Sequence, residues 1–256
     1  MRRTGRRYRS GRAAENYDII VIGSGIGGLS LAALMTKLGK RVCVLEQHYT
    51  AGGFTHSYER EGFEWDVGVH YIGEVHKPHS TLRRLFDVIS DGALKWSAMD
   101  NTYDRIIIGD RRVDFVEGRA ALIDSLVEHF PAEEAAIRRY IELVDETARS
   151  AQKFFAGQAM PRLLGRAYHA ARPLLVPKNC YCSVREVLEE LTQNQELIGV
   201  LTGQWGDYGM VPRDASFLMH ATVVKHYFGG GSYPIGGSWQ IPDTITPVIR
   251  AGGGEV

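Results

Sequence analysis

Two short runs of apolar, β-forming residues bracket a helical stretch rich in small residues near the start of the chain. Ile19 to Ile22 is apolar throughout, and Val42 to Leu45 is apolar again before the acidic Glu46. A strand, a helix and a second strand follow from that order, a β-α-β unit. Thr55 to Glu59 and Phe63 to Val67 read as short strands about Gly62, after a loop that holds Gly52-Gly53. Ser80 to Ile89 places Leu82, Leu85, Phe86 and Ile89 on one helical face. Lys95 to Met99, Arg105 to Ile108 and Arg112 to Val116 read as strands, the last two joined by Gly109-Asp110, a hairpin signal.

From Arg119 to about Thr202 the period becomes helical. Leu122, Leu126 and Phe130 recur every four residues. Pro131 then opens a helix with Ile137, Tyr140, Ile141 and Val144 facing inward. Ser183 and Glu186 form a capping box ahead of Val187, Leu188 and Leu191. Asp214 to Phe228 is expected to be a further helix, with Gly229-Gly230-Gly231 a loop behind it. Ile241 to Arg250 reads as a helix that Pro247 should kink or shorten, and Glu255-Val256 reads as the opening of a strand.

Composition narrows the function classes. The 256 residues carry 30 basic and 30 acidic side chains, so no global charge favours nucleic acid. Cys43, Cys180 and Cys182 are too few and too irregularly spaced for a disulfide framework or a zinc site, and reduced thiols in a cytoplasmic setting are the default. Glu74, His76 and His79 match no common metal spacing, so no metal is expected. The first twelve residues hold six arginines and no acid. Their outline imitates a signal peptide, but the apolar stretch behind them already serves as strand and helix. They are expected to form a disordered extension. Residues 147 to 185 contain seven basic side chains and no acid, interleaved with leucine and aromatic residues. That pattern suits peripheral contact with an anionic membrane surface.

Gly23, Gly25 and Gly28 form G-x-G-x-x-G directly after the first strand, and Glu46 stands at the tip of the second. This spacing is a dinucleotide fingerprint. Gly23 permits the turn, Gly25 lets a pyrophosphate approach the backbone, and Gly28 lets the helix pack on the strands. The helix N-terminus offers N–H groups to the phosphates, and Glu46 can accept hydrogen bonds from ribose hydroxyls.

Leu45-Glu46-Gln47-His48-x-x-Ala51-Gly52-Gly53, then His56, then Asp66-x-Gly68-x-His70-Tyr71-Ile72-Gly73, resembles the retinol saturase branch of the phytoene desaturase and carotenoid isomerase flavoproteins. Tyr233-Pro234-x-Gly236-Gly237 and Gly252 to Val256 resemble the same family. The resemblance implies FAD, with Gly23, Ser24, Gly25, Gly27 and Gly28 on the pyrophosphate and Glu46 on the ribose. Gln47 joins the cofactor contacts, and Gly52 and Gly53 run beside the diphosphate. His70 and Tyr71 become candidate catalytic residues near the flavin ring and the polyene, and NAD(P)H a candidate electron donor. Phe54 stands where the related amine oxidases have arginine, which separates this chain from that branch.

The expected fold is α/β: a Rossmann-like FAD-binding βαβ domain with an inserted, largely helical substrate domain. Residues 1–16 form the basic tail, 17–118 the first part of the FAD-binding domain, 119–228 the helical domain, and 229–256 a return to the FAD-binding domain, which is expected to be cut short at Val256. The expected function is redox chemistry on the carbon–carbon double bonds of a hydrophobic polyene. Rival expectations are a non-catalytic binding protein like the Rab GDP-dissociation inhibitors, which share this fold, and an inactive flavoprotein fragment.

Overall fold

In the computed structural model, which describes residues 3–9, 11, 16–69 and 71–256, the chain begins with β1 (Ile19–Ile22), α1 (Ile26–Lys37), β2 (Val42–Leu45), β3 (Ser57–Arg60), β4 (Phe63–Asp66), β5 (Ile72–Gly73), α2 (Thr81–Ile89) and β6 (Trp96–Ala98). It continues through β7 (Thr102–Ile108), β8 (Arg111–Val116), α3 (Arg119–His129), α4 (Glu134–Arg149), α5 (Ala151–Phe155) and α6 (Arg162–Leu175). Then come α7 (Val184–Leu191), α8 (Gln195–Leu201), α9 (Phe217–His226), β9 (Gly231–Pro234) and α10 (Gln240–Ala251). These elements divide into two units, one of residues 1–99 with 231–256, the other of residues 100–230.

The first unit is the Rossmann-like one. β1 and β2 pair in parallel, Ile19 opposite Val42 and Ile22 opposite Leu45. Asp18 accepts a hydrogen bond from the Arg41 N–H at 2.8 Å and so pins the register at the start of both strands. α1 and α10 pack on each other and enclose a core of Leu29, Ala32, Val42, Val44, Ile241 and Ile245. An unbroken apolar run, Ile-Ile-Val-Ile, suits a strand covered on both faces. Here the second face stays open, with Ile20 63% and Ile22 87% exposed.

Two expectations fail at the end of this unit. Gly231, placed in a loop by its glycine neighbours, opens β9, which pairs antiparallel with both β5 and β6. A four-residue strand of Gly, Ser, Tyr and Pro has no alternation to betray it; its pairing is supplied by residues more than 130 positions away. Pro247 neither kinks α10 into two segments nor ends it before Ala251. It forfeits one backbone hydrogen bond, but Ile241, Ile245, Val248 and Ile249 are all buried and hold the helix through that loss. Glu255 does open a strand-like extension: its N–H donates to the Val42 carbonyl at 2.9 Å and its carbonyl accepts from Val44 at 2.8 Å. The basic N-terminal segment, expected to be disordered, is seated over residues 4 to 6. Thr4 N–H donates to Thr50 Oγ1, and Arg6 N–H donates to the Val256 carbonyl.

The second unit joins a hairpin to a helical block. β7 and β8 pair from Thr102–Val116 to Ile108–Arg111, and α3 and α8 pack on them. That packing assigns the hairpin to this unit, so the boundaries fall at 99/100 and 230/231 rather than 118/119 and 228/229. α4 lies against α9, with Ile137, Tyr140, Ile141 and Val144 meeting a buried face of Phe217, Leu218, Ala221 and Val224. α9 starts at Phe217 rather than Asp214, because Ser216 pairs as an isolated bridge with Ser183, the residue that caps α7 in a complete capping box.

His220 of α9 is fully buried in this core. Its Nε2 lies 2.8 Å from the Tyr140 hydroxyl and its Nδ1 3.1 Å from the Tyr208 hydroxyl. Burial pushes its pKa down to about 3, so the folded ring is neutral, one nitrogen donating and the other accepting. An unfolded histidine titrates near ~6.5. Between those values the unfolded state holds the extra proton, so stability rises with pH across that window and is lost on acidification. Acidifying from about pH 7 to about pH 5 should therefore destabilise the protein by roughly 2 kcal/mol more than it destabilises His220→Gln. Urea midpoints at the two pH values measure this; equal losses in both proteins would refute it.

Candidate nucleotide-binding site

The chain leaves β1 at Ile22 and turns into α1 through Gly23, whose N–H donates to the Leu45 carbonyl at 2.8 Å. Gly25 caps the helix from an extended conformation. No side chain caps the first turn, and no acidic residue stands in it. The N–H groups of that turn thus face an anion-ready end of the helix. A Cβ placed on Gly25 or Gly27 would meet nothing within 4 Å, so open space lies over the turn. Gly28 is different: a Cβ there would come within 2.1 Å of the Gly23 carbonyl oxygen. Only glycine lets α1 sit this close to the strand end.

Glu46, at the tip of β2, reaches back to this turn. Its carboxylate accepts from the Ser24 N–H at 2.9 Å, from the Ser24 hydroxyl at 2.5 Å and from the His48 N–H at 2.8 Å. Partial burial pushes its pKa up, but the hydrogen bonds from Ser24, His48 and Gln47 outweigh this and hold the carboxyl below its ordinary value. It is therefore ionised at neutral pH. The Gln47 side chain is exposed.

The Gly52-Gly53 loop closes the third side. Gly52 N–H donates to the Ser24 carbonyl at 3.1 Å, and the Thr55 hydroxyl donates to the Gly52 carbonyl at 2.7 Å. A Cβ on Gly53 would lie 2.9 Å from Gly25 Cα. Ser24 is itself fully buried between Glu46 and this loop. Residues 24–25, 46 and 52–53, named separately in the sequence, form one cradle. Its geometry fits a dinucleotide: open helix N–H groups for phosphates, an ionised carboxylate for hydroxyls, and no side chain over the glycines. Beside it, Arg6, Arg7 and Arg9 of the N-terminal segment line a cavity of about 180 Å³ together with Glu46, His48 and Tyr49.

A second cluster in the same unit joins the two other motif strings. Asp66 receives hydrogen bonds from the Tyr233 hydroxyl and, at 2.5 Å, from the Ser238 hydroxyl. Burial and the neighbouring Asp66 carboxylate push the Tyr233 phenol up to about 12, so it stays a donor. Ser232 lies opposite Ile72 in the sheet, and its hydroxyl is 3.0 Å from His76 Nδ1. Tyr71 is half-buried immediately before β5. His70, its proposed catalytic partner, lies outside the described residues. Asp66 and Ser238 were not singled out as site residues. The sequence signal is the place of Asp66 inside one motif string and of Ser238 directly after Gly237, the end of the other, far away along the chain.

A family profile described as an NAD(P)-binding Rossmann-like domain matches residues 21–89. All-trans-retinol 13,14-reductase of Danio rerio is 39% identical over 97% of this chain. Prolycopene isomerase 1 of Oncidium hybrid cultivar is 26% identical over 88% of it. Over nearly all of its length the chain is similar to the retinol saturase and carotenoid isomerase family. It spans 42% of the length of the Danio rerio relative and 39% of the isomerase. An oxidoreductase from Methanosarcina mazei has the same fold, with a TM-score of 0.60 at 18% identity over 93% of this chain and 50% of its own.

The Asp66 cluster separates a structural clamp from an idle contact. Tyr233→Phe removes one donor and should cost about 1 kcal/mol, whereas Asp66→Ala strands the half-buried Tyr233 hydroxyl and the fully buried Ser238 hydroxyl and should cost about 2–3 kcal/mol. Urea denaturation of both variants tests this ordering. Equal stability of Asp66→Ala and wild type would show that the cluster holds nothing.

Proposed function

We propose that this chain forms part of an FAD-dependent oxidoreductase acting on the carbon–carbon double bonds of a hydrophobic polyene, a retinoid or a carotenoid. The observation that carries this reading is the cradle of Ser24, Glu46 and Gly52-Gly53 around the open N-terminus of α1, in a chain related to a retinol reductase and a carotenoid isomerase. The first-turn N–H groups at Gly25, Gly27 and Gly28 would hold the pyrophosphate. Glu46, released from Ser24, would accept the ribose hydroxyls, with Gln47 beside it. Gly52 and Gly53 would line the diphosphate.

When bound, the flavin would supply hydride transfer, chemistry that no side chain of this protein offers. The residues of the chain bind, orient and exclude water. Tyr71, with His70 before it, is the candidate to hold or move the proton that balances the hydride. The unit of residues 100–230 is proposed to bind the apolar substrate, and NAD(P)H is the candidate electron donor. A cytoplasmic setting with peripheral contact to a membrane through residues 147–185 fits a substrate that partitions into lipid. No described helix is long and apolar enough to cross a membrane.

The test is to purify the protein, record flavin absorbance near ~450 nm, reduce it anaerobically and add a retinoid or carotenoid. Loss of the long-wavelength polyene band with reoxidation of the flavin is expected for saturation. A shifted polyene band with the flavin unchanged is expected for isomerisation. A reducible flavin beside an untouched polyene would overturn the substrate class. Preparations that never hold flavin would overturn the cofactor and favour a non-catalytic binding protein.

A further inference from the structure

α6 carries its apolar face outward. Gly165, Tyr168 and Arg172, spaced three and four apart, form the side that packs on the protein. Gly165 is buried, and a Cβ there would lie 2.7 Å from the Gly157 carbonyl oxygen. The Tyr168 hydroxyl donates to the Lys153 carbonyl at 2.6 Å, and the Arg172 guanidinium lies 4.1 Å over the Phe154 ring. The opposite side is leucine. Leu163 is 80% and Leu174 90% exposed, with Leu164 and Leu175 beside them at 62% and 50%. At 3.6 residues per turn these positions and the alanines between them make one stripe, flanked by Arg162 and Arg166.

A helix that only covers a core shows the reverse arrangement. Four large aliphatic side chains in water along one helix mark a surface that something else covers. Charge says what. Neither Arg162 nor Arg166 is ion-paired among the described residues, and residues 147–185 contain no Asp or Glu. The leucine pairs sit at the two ends of the helix, about 16 Å apart. Both pairs meet one surface only if the helix lies flat on it. A flat, apolar layer under negative headgroups answers every one of these features.

We propose that α6 is an interfacial helix that lies in the headgroup layer of an anionic bilayer, its leucines inserted and Arg162 and Arg166 on the lipid phosphates. This inference deepens the peripheral contact proposed above for residues 147–185. It does not depend on the flavin or polyene assignment.

Co-sedimentation of the whole protein with vesicles tests it, using phosphatidylcholine alone and phosphatidylcholine mixed with phosphatidylserine. The protein should bind the mixed vesicles and release at high salt. Leu163→Asp with Leu174→Asp should weaken binding at least about tenfold, with unchanged far-ultraviolet circular dichroism. Arg162→Gln with Arg166→Gln should remove the preference for phosphatidylserine. If the leucine variant binds as tightly as wild type, α6 is not the contact, although the peripheral contact of the wider segment stands. If the wild-type protein ignores both vesicles, both are overturned. Self-association lost in the leucine variant, without vesicle binding, would assign the stripe to a second copy of the chain and overturn the lipid assignment.

Discussion

The nucleotide site depends on one close approach. The Gly52-Gly53 loop lies on Ser24-Gly25 so tightly that no side chain fits between them, with a Gly53 Cβ only 2.9 Å from Gly25 Cα. That contact buries Ser24, which places its N–H and hydroxyl on Glu46. It holds the loop beside the open turn of α1 while leaving the space over Gly25 and Gly27 clear. Gly28 plays the matching part on the other side, fixing α1 against the end of β1. The site is thus set by backbone packing, and side-chain chemistry enters only through Ser24 and Glu46. A dinucleotide needs such a surface, because phosphate binding at a helix N-terminus relies on main-chain N–H groups.

Much of this was legible before any coordinates. The β-α-β unit, the α2 face and the capping box at Ser183 are all local, and local spacing reports them. The glycine fingerprint, Glu46 and Gly52-Gly53 could each be named, because each answers a steric or electrostatic requirement that few other residues meet. Their mutual contact could not be named. In the apparent reading Glu46 waits for a ribose; in the structure its carboxylate is engaged by Ser24 and His48, a partnership that only the fold reveals.

The failures share a cause. β9 has no period of its own and exists because β5 and β6 flank it. Pro247 is tolerated because four buried aliphatic residues of α10 outweigh one missing hydrogen bond. Asp66 finds Tyr233 and Ser238 across the whole length of the second unit in sequence. The hairpin of β7 and β8 belongs with the helices because α3 and α8 pack on it. In each case tertiary contact overrides local preference. α6 shows the same limit from the other side: its segment reads in sequence as a basic stretch suited to a membrane surface, and only the fold tells which stripe of the helix faces out.

The central claim is that the Gly53–Gly25 contact shapes the dinucleotide cradle. The most direct measurement is a titration of FAD into the wild-type protein and Gly53→Ala, read by quenching of flavin fluorescence, with circular dichroism to confirm that both are folded. Saturable quenching in the wild type and its loss in a folded Gly53→Ala is the predicted result. Equal saturable quenching in the two proteins would contradict it.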